Sequence, residues 1–296
     1  MKDRFFLEIK KVKKVKIYKN VSVKDDNNFK IDARFLYKIE ISSIFAIKRV
    51  FEIIKKYDKK YFIIGMGSNV LFAKDYYQAV LIKLMPIKNS YLNIISGGDS
   101  VNYLNQTYIK HGISSLDFLS GVPCSVGGAI YMNAGAFNES IAQIIEYVYI
   151  YDIEENKYKV YNNKECKFAY RHSCFQNKKI FIVGAKIKLN YLEKEKLKNI
   201  HNKRLQLRRS KLPLEYPNLG SVFKNPDSKY AGEIIDKLGF KGLKVGGCMV
   251  SEKHANVIIN YDNGSYKDII KLIEIIKDEV YIKYKINLEL EIIIFK

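Results

Sequence analysis

A serine placed in an abrupt turn is the first candidate for chemistry in this chain. In LPLEYPNLGSVFKNP, residues 212–226, a Gly-Ser pair lies between prolines and is followed by Lys224 and Asn225. Proline fixes φ and glycine reaches backbone conformations closed to other residues, so the segment can present the Ser221 hydroxyl to a bound molecule. An ordinary surface loop has the same composition, and local chemistry alone leaves both readings open.

Two glycine-rich segments could handle phosphate. GMGSN, residues 65–69, follows an apolar strand pattern, and its amides could close around an anion. It is not a Rossmann fingerprint, which needs a third glycine where Val70 stands, nor a P-loop. A tight turn is the plain alternative. LSGVPCSVGGAIYMNAGAF, residues 119–137, is richer still in small residues, which let main chain approach a large flat ligand and let amides bind a pyrophosphate. Close packing of helix or strand would use the same residues. Two such segments in one chain favour a dinucleotide cofactor over either segment alone.

Charged candidates are fewer. Arg171 in YRHSCF, residues 170–175, is the one arginine between Arg49 and Arg204, and its planar guanidinium could grip a carboxylate or phosphate in bidentate fashion. A surface ion pair is the alternative. Near the C-terminus LELEIIIF, residues 288–295, alternates in strand fashion, so Glu289 and Glu291 share one face, by default a solvent face.

Periodicity indicates the elements that must position these groups. Ile44, Ile47, Val50, Phe51 and Ile54 predict a helix over 43–56, and a buried strand at 61–64 then enters the first glycine turn. Strands at 79–84 and 91–95 and a helix at 101–110 continue the α/β alternation. From 144 the pattern is strand-rich, with strands at 146–152, 157–161 and 180–189. A charged helix over 192–209 would connect to the Ser221 segment. A helix at 231–238, a strand at 256–260, an amphipathic helix at 265–283 and a final strand at 288–295 follow.

Composition bounds the function classes. With 296 residues, 48% hydrophobic and 13% aromatic, the chain can bury a large core spread over two or three domains. No apolar run approaches the roughly 18 residues of a spanning helix, and residues 1–10 lack the apolar core and cleavage site of a leader. A soluble, cytoplasmic protein without membrane insertion is expected. Cys124, Cys166, Cys174 and Cys248 are scattered, as are His111, His172, His201 and His254, so no metal site is expected. The formal charge of +20 invites a nucleic-acid partner. Only seven of the 51 basic residues are Arg, however, and the lysines are spread among Ile, Asn and Tyr without a recognised binding motif. No nucleic-acid partner is expected, and the positive field would equally suit a small anionic substrate.

Taken in order, residues 65–69, 120–129, 132–136, 170–173, 220–226 and 250–256 resemble the UDP-N-acetylenolpyruvoylglucosamine reductase family, and the likeness spans nearly the whole chain. The uninterrupted passage from Lys211 to Pro226 is similar to the shorter branch, which lacks an extra substrate-covering loop. The resemblance implies an α/β chain with an FAD-binding fold of the vanillyl-alcohol-oxidase (PCMH) type in two lobes, plus a C-terminal α/β substrate domain. The lobes would fall at 1–80 and 81–200, with strand 286–296 returning near the first, and the substrate domain at 205–285.

The same resemblance implies noncovalent FAD reduced by NADPH, a UDP-sugar substrate and a monomer. The reaction would convert the enolpyruvyl ether of UDP-N-acetylglucosamine enolpyruvate into the lactyl ether of UDP-N-acetylmuramate for peptidoglycan synthesis, and so for cell-wall growth, cell shape and division. Gly65, Gly67, Ser68, Asn69, Gly121, Pro123, Ser125, Gly127, Gly128, Ala129, Asn133, Ala134 and Gly135 match the cofactor-binding positions. Arg171, Ser221 and Glu291 match the catalytic ones, and Lys211, Lys224 and Asn225 the substrate-orienting ones. Hydride addition leaves a carbanion next to a carboxylate, whose stabilisation should dominate the barrier. Arg171 and Glu291 would polarise that carboxylate, Glu291 when protonated or hydrogen-bonded, and Ser221 would give the proton. The chain departs from the family pattern at residues 29–34, at Cys124 in place of glycine, at Leu290 in place of proline and at Ile293 in place of arginine. An FAD-dependent sugar or alcohol oxidase of the same fold and a basic, noncatalytic binding protein are the competing classes.

Overall fold

The computed structural model describes residues 3–87, 91–227 and 229–296. Among them are helices α1 (Arg4–Lys10), α2 (Ile44–Lys56), α3 (Val101–Lys110), α4 (Val126–Tyr131), α5 (Lys194–Lys211), α6 (Ala231–Lys237) and α7 (Tyr266–Tyr284). Contacts group the chain into two compact units. Unit 1 runs to Val21 and takes in Phe35–Met66 and Gln78–Leu205, and unit 2 takes in Ser22–Arg34, Gly67–Tyr77 and Gln206–Lys296.

Unit 1 is built on two four-stranded sheets. The first has the order Val15–Ser22, Arg34–Ile41, Tyr76–Leu84, Tyr61–Ile64, the last two strands being parallel with Ile64 opposite Lys83. Helix α2 lays Ile47, Val50, Phe51 and Ile54 on a core shared with Ile39, Val80 and Ile82. This i, i+3, i+4, i+7 spacing was the basis for expecting the helix, and each fully buried aliphatic side chain there is worth about 1.5–3 kcal/mol. The second sheet has the order Lys157–Asn162, Ile145–Asp152, Ile180–Ile187, Ile94–Ser96, antiparallel throughout. Its core joins Ile95, Ile150 and Ala185 to Val101 and Tyr108 of α3 and Val126, Ala129 and Ile130 of α4.

Unit 2 holds a smaller antiparallel sheet of order Asn218–Ser221, Val257–Asn260, Cys248–Val250, Lys244–Val245. Helix α7 starts with a capping box in which Ser265 and Asp268 satisfy each other's backbone amides, and it buries Ile269, Leu272, Ile273, Ile276 and Val280.

Several expectations need correction. Helix α1 lies where no element was expected, begun by the Asp3 side chain accepting the Phe6 N–H at 3.1 Å. The strand expected at 91–95 is Ile94–Ser96. The glycine-rich segment, for which no element was assigned, contains α4. The final strand is Ile293–Phe295, parallel to Val70–Phe72, rather than 288–295. Its hydrogen-bond partners change along the way, for Glu291 N donates to Val222 O at 2.8 Å and Ile293 N to Asn69 O at 2.9 Å. The change of partner breaks the alternation that made 288–295 look continuous. No helix among the described residues is long and apolar enough to cross a membrane.

Candidate active site

In unit 1 three glycine turns converge. Gly65, directly after strand Tyr61–Ile64, lies so close to the start of α4 that a Cβ there would stand 2.3 Å from Ser125 Oγ. Ser125 caps α4, its Oγ accepting Gly128 N–H at 3.2 Å. Gly127 N donates to Gly97 O at 2.8 Å and Val126 N to Asp99 O at 2.9 Å, so the turn after Ile94–Ser96 underlies the same helix. Gly121 adopts φ +74° and donates its N–H to Asn102 Oδ1 at 3.0 Å. The segment thus combines the two readings its composition left open: Gly127 serves close packing, while a Cβ on Gly128 would meet only Ser125 Oγ, at 3.3 Å, leaving that surface accessible.

Arg171 joins this group from the turn before strand Ile180–Ile187. The turn is closed by reciprocal bonds between Ala169 and His172 at 3.1 and 3.0 Å, with Arg171 itself at φ +51°. Its Nη1 donates to Gly135 O at 3.2 Å, and its guanidinium lies 5.3 Å from the centre of the Tyr170 ring. Asn133 supports the turn from below. It is buried, its Nδ2 donates to Ala169 O at 2.8 Å and its Oδ1 accepts Ala142 N–H at 3.2 Å. The Asn133 side chain therefore links the glycine segment to the Arg171 turn.

Unit 2 carries the remaining candidates. Gly67 takes φ +67°, and a Cβ there would fall 1.9 Å from Asp26 O, so this position requires glycine twice over. The N–H groups of Gly67 and Ser68 donate to no backbone acceptor among the described residues. Asn69 Nδ2 donates to Glu291 O at 2.9 Å. Ser221 ends strand Asn218–Ser221 just after Gly220 at φ +72°, the left-handed turn expected from the sequence. Glu291 is laid alongside by its bond to Val222 O, and Phe223 pairs with Leu290. Glu289 is exposed and ion-paired with Lys224 at 3.1 Å, while Glu291 is half-buried. Asn225 Oδ1 accepts Ala231 N–H at 3.1 Å at the start of α6, and Lys211 is the last residue of α5, exposed. Burial, with the charges of Lys241 and Lys211 added, pushes the His254 imidazole below its usual range.

Residues 212–295 match the C-terminal domain model of UDP-N-acetylenolpyruvoylglucosamine reductase, and residues 37–153 match an FAD-binding domain. The UDP-N-acetylenolpyruvoylglucosamine reductase of Caldanaerobacter subterraneus subsp. tengcongensis is 34% identical over 285 residues, 95% of this chain and 94% of that one. The Bacillus subtilis reductase is 32% identical, covering 98% and 97%. The chain belongs to the UDP-N-acetylenolpyruvoylglucosamine reductase family. The crystal structure of the Thermus caldophilus reductase superposes with a TM-score of 0.81 at 26% identity, over 95% of this chain and 99% of that one.

As a member of the reductase family the chain is an FAD-dependent oxidoreductase, with the α/β FAD-binding fold and separate C-terminal domain that its motifs implied. Its residues fit the cofactor. Gly128 leaves a small-residue surface open in unit 1, and in unit 2 the positive-φ turn at Gly67 and Ser68 presents amides suited to a diphosphate. Sequence reasoning passed over Asn256, although it closes the 250–256 motif of the reductase family. Buried in unit 2, its Oδ1 accepts Phe223 N–H at 2.9 Å, its Nδ2 donates to Phe223 O at 2.8 Å and its main-chain O accepts Val222 N–H at 2.9 Å. The residue that fixes the Ser221 segment is thus a neutral amide.

Proposed function

We propose that the chain reduces the enolpyruvyl group of UDP-N-acetylglucosamine enolpyruvate to the lactyl ether of UDP-N-acetylmuramate, in the cytoplasm, as a monomer, for peptidoglycan precursor synthesis. Residues 1–80 and 81–200 serve as the FAD-binding lobes and 205–285 as the substrate domain. Bound FAD would supply the hydride, with NADPH as the electron donor. Gly65, Gly121, Pro123, Ser125, Gly127, Gly128, Ala129, Asn133, Ala134 and Gly135 in unit 1, and Gly67, Ser68 and Asn69 in unit 2, are the cofactor contacts.

Arg171 binds the substrate carboxylate, and Glu291 hydrogen-bonds to the charge that develops beside it. Ser221 Oγ gives its proton to the carbanionic carbon, a transfer feasible for so weak an acid because the acceptor is strongly basic. Lys211, Lys224 and Asn225 orient the sugar nucleotide, Lys224 by exchanging its exposed partner Glu289 for a substrate anion. One observation supports the reading: the 2.8 Å bond from Glu291 N to Val222 O, which lays the Glu291 backbone beside the residue that follows Ser221.

Half-reactions test it. In Ser221→Ala, NADPH should bleach the substrate-free enzyme at the normal rate, while recovery of the oxidised spectrum on adding the enolpyruvyl sugar nucleotide should slow by about 10²–10⁴-fold. Equal slowing of both halves would remove Ser221 from proton donation. A bleached enzyme that ignores this substrate would move the function to another acceptor.

A further inference from the structure

One ionic cluster in unit 1 was singled out by nothing in the sequence. His201 and Arg204, three residues apart on α5, face Asp117, whose carboxylate is buried. Arg204 Nη1 is 3.0 Å from Asp117 Oδ2, and Nη2 is 2.7 Å from Glu139 Oε1. The guanidinium carbon lies 4.9 Å from the centre of the Phe137 ring. His201 Nδ1 is 3.1 Å from Asp117 Oδ1 and 2.7 Å from Ser120 Oγ. Ser120 Oγ is 2.5 Å from Asp117 O.

Serine, histidine and aspartate in contact suggest a nucleophile, but the geometry excludes it. A catalytic triad places aspartate and serine on opposite ring nitrogens, whereas here both meet Nδ1. The Ser120 hydroxyl also donates within Asp117, to the main-chain O and, at 2.9 Å, to Oδ1, so its hydrogen is already committed to the aspartate. The serine is immobilised rather than activated.

What the cluster immobilises is specific. Asp117 and Ser120 stand at the start of the glycine segment, and Phe137 and Glu139 at its end. Every unit 1 cofactor position proposed after Gly65 lies between them. Arg204 bonds to both ends through its two terminal nitrogens, a fork that lysine cannot reproduce. We infer that Arg204 is a positioning residue for FAD, stapling the two ends of segment 120–137, with Asp117 as its buried anchor and His201 fixing Ser120. This rests on the reading of that segment as a cofactor contact.

The test is FAD affinity, measured by quenching of free FAD fluorescence on titration with deflavinated protein, beside thermal unfolding of the apoprotein. Arg204→Lys keeps the charge and loses the fork. It should raise the Kd for FAD by about tenfold, equivalent to about 1.4 kcal/mol, and shift the flavin absorbance bands, while the apoprotein melts close to wild type. Asp117→Asn should weaken FAD similarly, and the double variant no more than the worse single one, because both break one unit. Glu139→Gln, on the more exposed partner, should weaken FAD by about threefold. Affinity and spectrum unchanged in both Arg204→Lys and Glu139→Gln would overturn the inference whatever happens to melting. A wild-type chain that takes up no FAD would instead sink the cofactor reading, and the inference with it.

Discussion

Segment 120–137 in unit 1 and the Ser221 segment in unit 2 each hold main chain in a conformation that neither helix nor sheet alone would impose, and they are held by different chemistry. In unit 1 the ends are tied by charges, Asp117 and Glu139 on Arg204, and the middle rests glycine against glycine. In unit 2 the tie is Asn256, a neutral group with both ends of its amide committed to Phe223. A buried charge must recover several kcal/mol of desolvation from its partners, so an ionic staple is worth having only where its fork spans two separated points. An amide costs less to bury and suffices to pin a single strand. The contrast teaches that span, rather than strength, separates the two solutions.

Breaking the amide should give the largest effect on stability. Asn256→Ala leaves Phe223 N–H and C=O without their side-chain partners in a buried place. At about 1–3 kcal/mol for each orphaned group, unfolding in urea should show a loss of about 2–6 kcal/mol. The half-reaction proposed to depend on Ser221 should slow with it while bleaching by NADPH persists. A loss below about 1 kcal/mol would mean that the sheet, not Asn256, fixes the segment. The middle of the glycine segment gives the next effect. A Cβ on Gly97 would stand 2.4 Å from Ile182 O, a backbone atom that cannot rotate aside. Gly97→Ala should therefore cost about 1–3 kcal/mol and weaken FAD, because the turn beneath α4 must shift. Normal FAD uptake by this variant would show that the segment tolerates displacement of its support.

How much of this was legible beforehand follows the range of the interactions. Helices α2, α3, α6 and α7 and the three longer strands of the second sheet were readable because burial there follows local periodicity. Helix α4 was not, since Val126-Gly-Gly has poor helix propensity and forms because Ser125 caps it and Gly97 O receives Gly127 N. Strand Arg34–Ile41 went unread although Phe35, Tyr37, Ile39 and Ile41 are buried in strict alternation. The turns at Gly67 and Gly220 were visible, since positive φ leaves a mark in composition. Asn256 and Arg204 left no such mark, because their partners lie 33 and 65 residues away and an amide or a guanidinium in isolation reads as surface. Family motifs located the segments; only the fold shows what holds them.

The smallest expected effect sharpens the comparison most cleanly, because it repeats the unit 1 chemistry in the wrong surroundings. Lys224 and Glu289 form an ion pair at 3.1 Å, nearly the Arg204–Asp117 distance, but the Glu289 side chain is 74% exposed where that of Asp117 is 3%. Water screens the first pair and is largely excluded from the carboxylate of the second. Glu289→Gln should therefore change unfolding stability by less than about 0.5 kcal/mol, and raising the salt should leave the difference from wild type near zero. Its mark should fall elsewhere: with Lys224 released, KM for the sugar nucleotide should drop slightly at unchanged kcat. A stability loss of about 3–5 kcal/mol, the size that breaking a buried pair brings, would show that charge pairing itself does the holding. A small one would assign that role to burial and to the two-point fork.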